Sequence, residues 1–253
     1  MDFLLVGILG SLWGSFANVC IYRLPLKGGV VKGRSFCPKC KKKIFWYENI
    51  PILSYLFLGG KCSKCKKKIS SQYLLVETIS TISFLIIYYF FGISLTSILL
   101  MILFLSFLII FFIDLKHYII PNILTFPMMV LGFVKSFDPN LNPIFPNYTN
   151  SLIGGIFGYL IIWTIILFYK KIRNKEGMGL GDAKLLAVIG FWFGWVSIPF
   201  IIFLSSAIAL IIVIPDLLKK SKKLSSQIPF GPYIILGTIF YLVFQNKFIN
   251  FFF

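Results

Sequence analysis

The chain has 253 residues, of which 58% are hydrophobic and 13% charged, and a mean hydropathy of +0.90. Soluble domains carry roughly 25% charged residues, and a chain of this size has too much surface to hide so much Phe, Ile and Leu from water, so a water-soluble globular protein is excluded and lipid is the solvent for most of the chain. The net charge of +17 comes in short runs between apolar segments, the pattern of loops beside an anionic leaflet and not of a nucleic-acid groove.

Met1-Asp2 leads straight into an apolar run with no basic n-region and no small-residue cleavage pattern, so 3–21 reads as a retained first span. Residues 22–72 form the one large polar insert. Apolar runs at 73–91, 95–114, 119–135, 151–169, 181–196, 198–214 and 230–246 complete eight predicted spans, each near the ~17–25 residues a helix needs to cross hydrocarbon. The sixth and seventh are parted only by the stretch from Gly194 to Pro199. Charge keeps them separate: Lys170, Lys171, Arg173 and Lys175 precede the pair, and Lys219, Lys220, Lys222 and Lys223 follow it. Both clusters belong inside, so an even number of crossings joins them. The Pro/Asn-rich segment 136–150 reads as a short exterior loop. No internal repeat is evident.

The polar insert holds 13 of the 25 Lys and Arg residues against Glu48 alone. Placing it in the cytoplasm brings 23 of the 25 to that side, leaving only Lys135 and Lys247 outside. Both termini are then extracytoplasmic. Lys116 and Lys184 read as anchors that snorkel to the interface. The predicted fold is an all-α polytopic membrane protein with about eight transmembrane helices and a small cytoplasmic zinc-ribbon-like loop. It divides into a first helix (1–22), the loop (23–72) and a helical membrane domain (73–253).

Cys37-Pro-Lys-Cys40 and Cys62-Ser-Lys-Cys65 are two CxxC knuckles with 21 residues between them. Two such turns can present four thiolates tetrahedrally, as structural zinc requires, and neighbouring lysines favour the thiolates. Two disulfides are the plainer alternative, but a cytoplasmic loop stays reduced. Cys20, in the first span, reads as a packing residue.

Only eight residues are acidic. Asp114 ends an apolar run, and Asp182 lies where a glycine-rich turn, Gly177-Met-Gly179-Leu-Gly181, enters a helix. The topology puts both at the cytoplasmic end of their spans. A carboxylate beside hydrocarbon is costly and points to function. Two at one depth can share a proton, one acting as acid and the other as base on a water. Glycines there let backbone approach a substrate. The plainer reading is capping, with Asp182 at a helix start and Asp114 paired to Lys116 or His117.

These residues resemble a known family. Gly179-Leu-Gly181-Asp182, with a second aspartate ending an earlier span, looks like the GxGD-type membrane aspartyl proteases. Further segments are similar to the bacterial type IV prepilin peptidases, that is, the prepilin leader peptidase/N-methyltransferases. They are Gly14-Ser-Phe-Ala-Asn18-Val through Tyr22-Arg23-Leu-Pro25, Arg34-Ser-Phe-Cys37, Trp46-Tyr-Glu48-Asn-Ile-Pro51, Pro121-Asn122 and Pro229-Phe-Gly231-Pro232. The resemblance runs from about residue 7 to residue 237. It implies Asp114 and Asp182 as the catalytic pair and Gly179 and Gly181 as part of the catalytic motif. It implies cleavage of type IV prepilin or pseudopilin leaders at the cytoplasmic face of the bacterial inner membrane, in the service of pili or type II secretion. It also implies N-methylation of the new terminus with S-adenosylmethionine, associated with the cytoplasmic loop. The chain departs from the family in Gln72-Tyr-Leu-Leu-Val-Glu77, which lacks the usual Arg and Pro, and at Gly59, where Arg is common. Glu77 is a candidate for methyl transfer or cofactor contact, or a helix-end carboxylate paired with loop lysines. Asn18 and Arg23 are candidates for docking the loop, or interface anchors.

Two other classes compete. An aspartate-dependent transporter predicts carboxylates near the bilayer midplane at a repeat interface. A non-catalytic assembly protein leaves the Gly-x-Gly-Asp element unexplained.

Overall fold

The computed structural model describes residues 1–26, 35–37, 39–141, 145–173, 179–218 and 228–252. Lys27, Lys32, Arg34, Lys175, Gly177, Met178, Lys219, Lys220, Lys222 and Lys223 lie outside the described residues, as do the side chains of Arg173 and Lys247.

The chain is all-α, with no strand among the described residues. A helix stands at each of the eight predicted places: α1 (Asp2–Arg23), α3 (Ser71–Phe91), α4 (Leu95–His117), α5 (Asn122–Val134), α6 (Tyr148–Arg173), α7 (Leu180–Phe193), α8 (Ser197–Leu218) and α9 (Gly231–Phe252). The short α2 (Leu53–Phe57) lies in the polar insert. Helices α1, α3, α4, α6 and α8 are long and apolar enough to cross a membrane, whereas α5 and the stretch Gly231–Phe244 of α9 are shorter apolar helices. The chain is a membrane protein.

The bounds predicted for two spans, 119–135 and the already short 181–196, are cut back at α5 and α7, which have 13 and 14 residues. At 1.5 Å per residue α7 is ~21 Å long, against a hydrocarbon core of ~30 Å. Its ends are set by backbone chemistry. Gly179 is its N-cap, and Gly194 stops it with φ +80°. Ten of its 14 residues are buried, so it faces mostly protein and need not match the bilayer. The turn at Gly194 also separates α7 from α8, as charge parity requires.

The chain forms two compact units, residues 1–109 and 110–253. In the first, α1 packs on α3 through small residues that let backbones close up. A Cβ on Gly14 would lie 2.8 Å from Cα of Glu77, and Ser80 Oγ donates to the Gly10 carbonyl at 2.8 Å. In the second, α7 is the central helix, packed on α5, α6, α8 and α9. Gly190 meets Gly154 of α6 so closely that a Cβ would fall on the Gly154 carbonyl. Trp192 Nε1 donates to the Met128 carbonyl of α5 at 2.8 Å.

Lys135, one of the two basic residues expected outside, is 5% exposed. Its Nζ donates to the Trp192 carbonyl at 3.1 Å and lies 3.9 Å from the Phe145 ring centroid. A cation at the C-terminal end of α7 complements the helix dipole.

The insert contains a repeat that the sequence reading passed over. Cys37-Pro-Lys-Cys-Lys-Lys-Lys-Ile44 and Cys62-Ser-Lys-Cys-Lys-Lys-Lys-Ile69 match at seven of eight positions, and they fold alike. Cys37 N–H donates to the Lys42 carbonyl and Cys62 N–H to that of Lys67, at 2.9 and 3.0 Å. Lys41 and Lys66 both turn left-handed, with φ +55° and +56°. Isolated bridges, Phe36 to Lys43 and Lys61 to Lys68, close each knuckle.

Candidate active site

Asp114 and Asp182 line one cleft of about 220 Å³, with Tyr118, Ile119, Ile120, Gly179, Gly181 and Lys184. The aspartates are 4% and 7% exposed, and their carboxylates interact electrostatically. Four helix ends meet here: the last turn of α4 and the first turns of α5, α7 and α9.

Asp114 lies one turn before the end of α4, and Tyr118 N–H donates to its carbonyl at 3.0 Å. Tyr118 then adopts φ +56°, a left-handed conformation uncommon for a non-glycine residue. That turn ends α4, and Pro121 opens α5 after a short link that walls the cleft. The Asp114 carboxylate accepts the backbone N–H of Gly231, the first residue of α9, at 3.1 Å. A Cβ on Gly231 would sit 2.7 Å from the accepting oxygen and 3.1 Å from Ile120 Cδ1. Only glycine brings its amide this close.

Asp182 is the third residue of α7. Its N–H donates to the Gly179 carbonyl at 3.1 Å, and its carboxylate accepts a backbone hydrogen bond from Gly179. Asp182 thus caps α7 and lines the cleft at once. Each carboxylate is therefore oriented by an amide at a helix N-terminus. The glycines differ in what they do. Gly181 packs on Ile120, where a Cβ would lie 3.0 Å from Ile120 Cβ, whereas nothing approaches a Cβ on Gly179 closer than 3.8 Å. So the missing side chain at 181 serves internal packing, and Gly179 leaves room at the cleft.

Lys184 is no simple anchor. Its Nζ donates to Asn122 Oδ1 at 2.8 Å, across from the start of α5, and it lines the cleft. Sequence reasoning missed this pair and the Gly231 amide. The available signals were that Asn122 and Gly231 fall inside short motifs and that Lys184 follows Asp182 by two residues.

In the other unit, the four sulfurs of Cys37, Cys40, Cys62 and Cys65 all lie within 4.8 Å of one another, and none is in a disulfide. Cys37 faces Cys65, and Cys40 faces Cys62, each pair at 3.9 Å. Backbone N–H groups of Cys65 and Lys64 bring the Cys62 thiol down to about 6. Cys40 receives the Lys42 amide, yet desolvation and the other three sulfurs push it up to about 11. Four sulfurs in a cluster this tight could hold a metal ion.

Among the described residues, Glu77 bonds no loop lysine. It is buried in α3, accepts the Ile52 N–H at 2.8 Å and bonds the Ser15 side chain. Asn18 is buried too, and its amide donates to the Tyr73 carbonyl at 3.1 Å. Both tie α1, α3 and the insert together. Arg23 is the half-buried last residue of α1.

Residues 8–91 match the family model described as the bacterial peptidase A24 N-terminal domain, and residues 101–214 match that of the type IV leader peptidase family. The chain is 34% identical to the prepilin leader peptidase/N-methyltransferase of Pseudomonas aeruginosa, over 91% of this chain and 86% of that protein. It is also 34% identical to the protein of the same name from Neisseria gonorrhoeae, over 90% and 85%, and 32% identical to that of Aeromonas salmonicida, over 93% and 88%. No solved structure matches it. With two family models in sequence order and relatives matched along nearly their whole length, this chain belongs to the type IV leader peptidase family.

Proposed function

We infer that this chain is a membrane aspartyl endopeptidase that removes the leader of type IV prepilins or pseudopilins and then N-methylates the new terminus. The observation that carries the reading is the convergence of Asp114 and Asp182, from separate helices, on one cleft. The family and its relatives' names support the substrate and the second activity.

The pair shares one proton. The ionised carboxylate takes a proton from water as the water oxygen attacks the scissile carbonyl carbon. The protonated partner donates its proton to the carbonyl oxygen, giving a neutral tetrahedral intermediate. When the C–N bond breaks, the nitrogen leaves with a proton from the dyad, the new carboxyl group forms, and one proton remains on the pair. The Gly231 and Gly179 amides hold the carboxylates in fixed orientations, so little reorganisation accompanies the reaction. Lys184, held by Asn122, fixes one wall of the cleft.

The loop of residues 23–72 is the metal-binding, methyltransfer-associated module, and the catalytic helices lie within 73–253. Zinc suits the four thiols of Cys37, Cys40, Cys62 and Cys65. A tetrahedron with Zn–S bonds of ~2.3 Å has S–S edges of ~3.8 Å, close to the 3.9 Å of the two facing pairs. The metal would tie the two knuckles into one unit. S-adenosylmethionine, when bound, supplies the methyl group. Glu77 acts on methylation through position, since its carboxylate holds the Ile52 amide.

Loop and cleft belong on the cytoplasmic side of the bacterial inner membrane. The distribution of 23 of 25 basic residues supports this, as does the meeting of the C-terminal end of α4 with the N-terminal ends of α5, α7 and α9 at one cleft. The enzyme's partners are then prepilins and the surrounding lipid, without nucleic acid. Incubating membranes with prepilin and S-adenosylmethionine and weighing the product reads both activities. The parent yields a shortened, methylated pilin. Asp114→Asn or Asp182→Asn yields uncut prepilin, and normal cutting by either variant rejects the dyad. Glu77→Ala yields shortened but under-methylated pilin, while Glu77→Gln, which keeps an oxygen for Ile52, restores methylation. Failure of Gln to restore it rejects the positioning role.

A further inference from the structure

Residues 45–57 carry an apolar surface that neither the cleft nor the thiols use. Phe45, Trp46, Tyr47, Leu53, Leu56 and Phe57 are all exposed, Trp46 at 77% and Phe57 at 88%. They belong to one patch. Phe45 and Tyr47 stack at 5.5 Å, and Trp46 meets Tyr47 edge-on at 5.8 Å. Ser54 Oγ donates to the Tyr47 carbonyl at 2.8 Å, joining the turn at 46–49 to α2. On α2, Leu53, Leu56 and Phe57 follow helical spacing and share a face.

The depth of this patch is set by the fold. Ile52, at its centre, donates its N–H to Glu77, the seventh residue of α3 and so about 9 Å along that helix. Helix α3 is one of those long and apolar enough to span a membrane. The patch is therefore pinned level with the second turn of a spanning helix and cannot drift into solution. Ile52 has φ +62°, a strained conformation for a β-branched residue, so tertiary contacts hold it there against its preference.

The patch is also framed by positive charge. Lys39, Lys41, Lys42 and Lys43 precede it, and Lys61, Lys64, Lys66, Lys67 and Lys68 follow. Of the two acids beside it, Glu48 is bound to Lys42 at 2.7 Å, and Glu77 is buried and accepts the Ile52 N–H. Aromatic and aliphatic side chains tied to the start of a long apolar helix, and flanked in sequence by lysines, have the composition of an interfacial anchor for an anionic leaflet.

We propose that the aromatic patch of residues 45–57 seats in the headgroup layer of an anionic leaflet and holds the four-cysteine loop flat against the membrane. The test uses the full-length protein in lipid nanodiscs made with or without brominated acyl chains, in phosphatidylcholine alone or with added phosphatidylglycerol. The emission of Trp46, one of five tryptophans, is the difference between the parent and Trp46→Phe; prepilin cleavage by that variant checks its fold. The expected result is loss of most Trp46 emission with brominated chains. The loss should be deeper when phosphatidylglycerol is present, and the difference between the two lipids should shrink at high salt. Equal Trp46 emission with and without bromine overturns the proposal. So does quenching that appears only after prepilin is added, which assigns the patch to substrate. Quenching indifferent to phosphatidylglycerol overturns the anionic preference.

Discussion

The four-cysteine insert and the aspartate cleft are assembled in opposite ways. The insert uses an eight-residue repeat, so each half of the thiol cluster comes from one knuckle whose backbone bonds close within six residues. The cleft uses residues far apart in sequence: Gly231 reaches Asp114 across 117 positions, and Lys184 reaches Asn122 across 62. The difference teaches where each is vulnerable. A local knuckle that holds a metal would depend on that metal more than on its neighbours. A cleft made of helix ends needs packing, and buries one glycine, Gly231, where a single added carbon would displace a carboxylate.

The largest expected effect lies in the cleft. Asp114→Asn or Asp182→Asn lowers prepilin cleavage by roughly 100- to 10,000-fold, the range of general acid–base catalysis, while metal content measured by atomic absorption stays at the parent level. A variant that lost both would show that the two regions are not separate devices. In the insert, Cys62→Ser removes the metal, about one ion per chain for a closed four-thiolate site. Methylation then falls further than cleavage in the same mass assay, and a parent protein without metal would reject the thiol site.

Gly231→Ala tests packing directly. It loses a hydrogen bond to a charged group, about 1.5–3 kcal/mol, so kcat should fall roughly 10- to 100-fold by the free-energy conversion with KM little changed. An equal loss through KM would mean that the glycine serves substrate binding and not carboxylate orientation.

The smallest effect is in the insert's ion pair. The Lys42 ammonium and Ser63 hold Glu48 down at about 2. A carboxylate depressed in the folded state stabilises above its unfolded value of about 4.3, and loses that contribution as pH falls toward its folded one. The stability gap between parent and Glu48→Gln, read as a melting temperature, should therefore be fully open above pH ~5 and narrow below pH ~4.

How much of this was legible in advance varies by element. Span positions for α1, α3, α4, α6 and α8 follow from apolar length, because lipid demands it. The lengths of α5 and α7 do not, because α7 lies among other helices and answers to its packing partners. Asp114 and Asp182 stood out because charge is rare and costly beside hydrocarbon. Lys184 looked like an anchor because residues two apart on a helix point away from each other, yet its long side chain reaches the start of α5. Glu77 looked available to lysines or a cofactor, and only the fold showed that it accepts the Ile52 amide. The knuckle repeat was visible in the letters and was passed over.

What the sequence determined alone was a membrane chain with apolar helices in order, two tight cysteine turns and two acids at the edges of apolar runs. Those properties are local or compositional: hydrophobic length, thiol spacing and the cost of an isolated charge. Only tertiary structure decided which amide holds each acid, which helix is central and short, and how a strained Ile52 fixes the insert to α3. Such choices depend on side chains and backbones meeting at distances of about 3 Å, and no run of neighbouring letters encodes them.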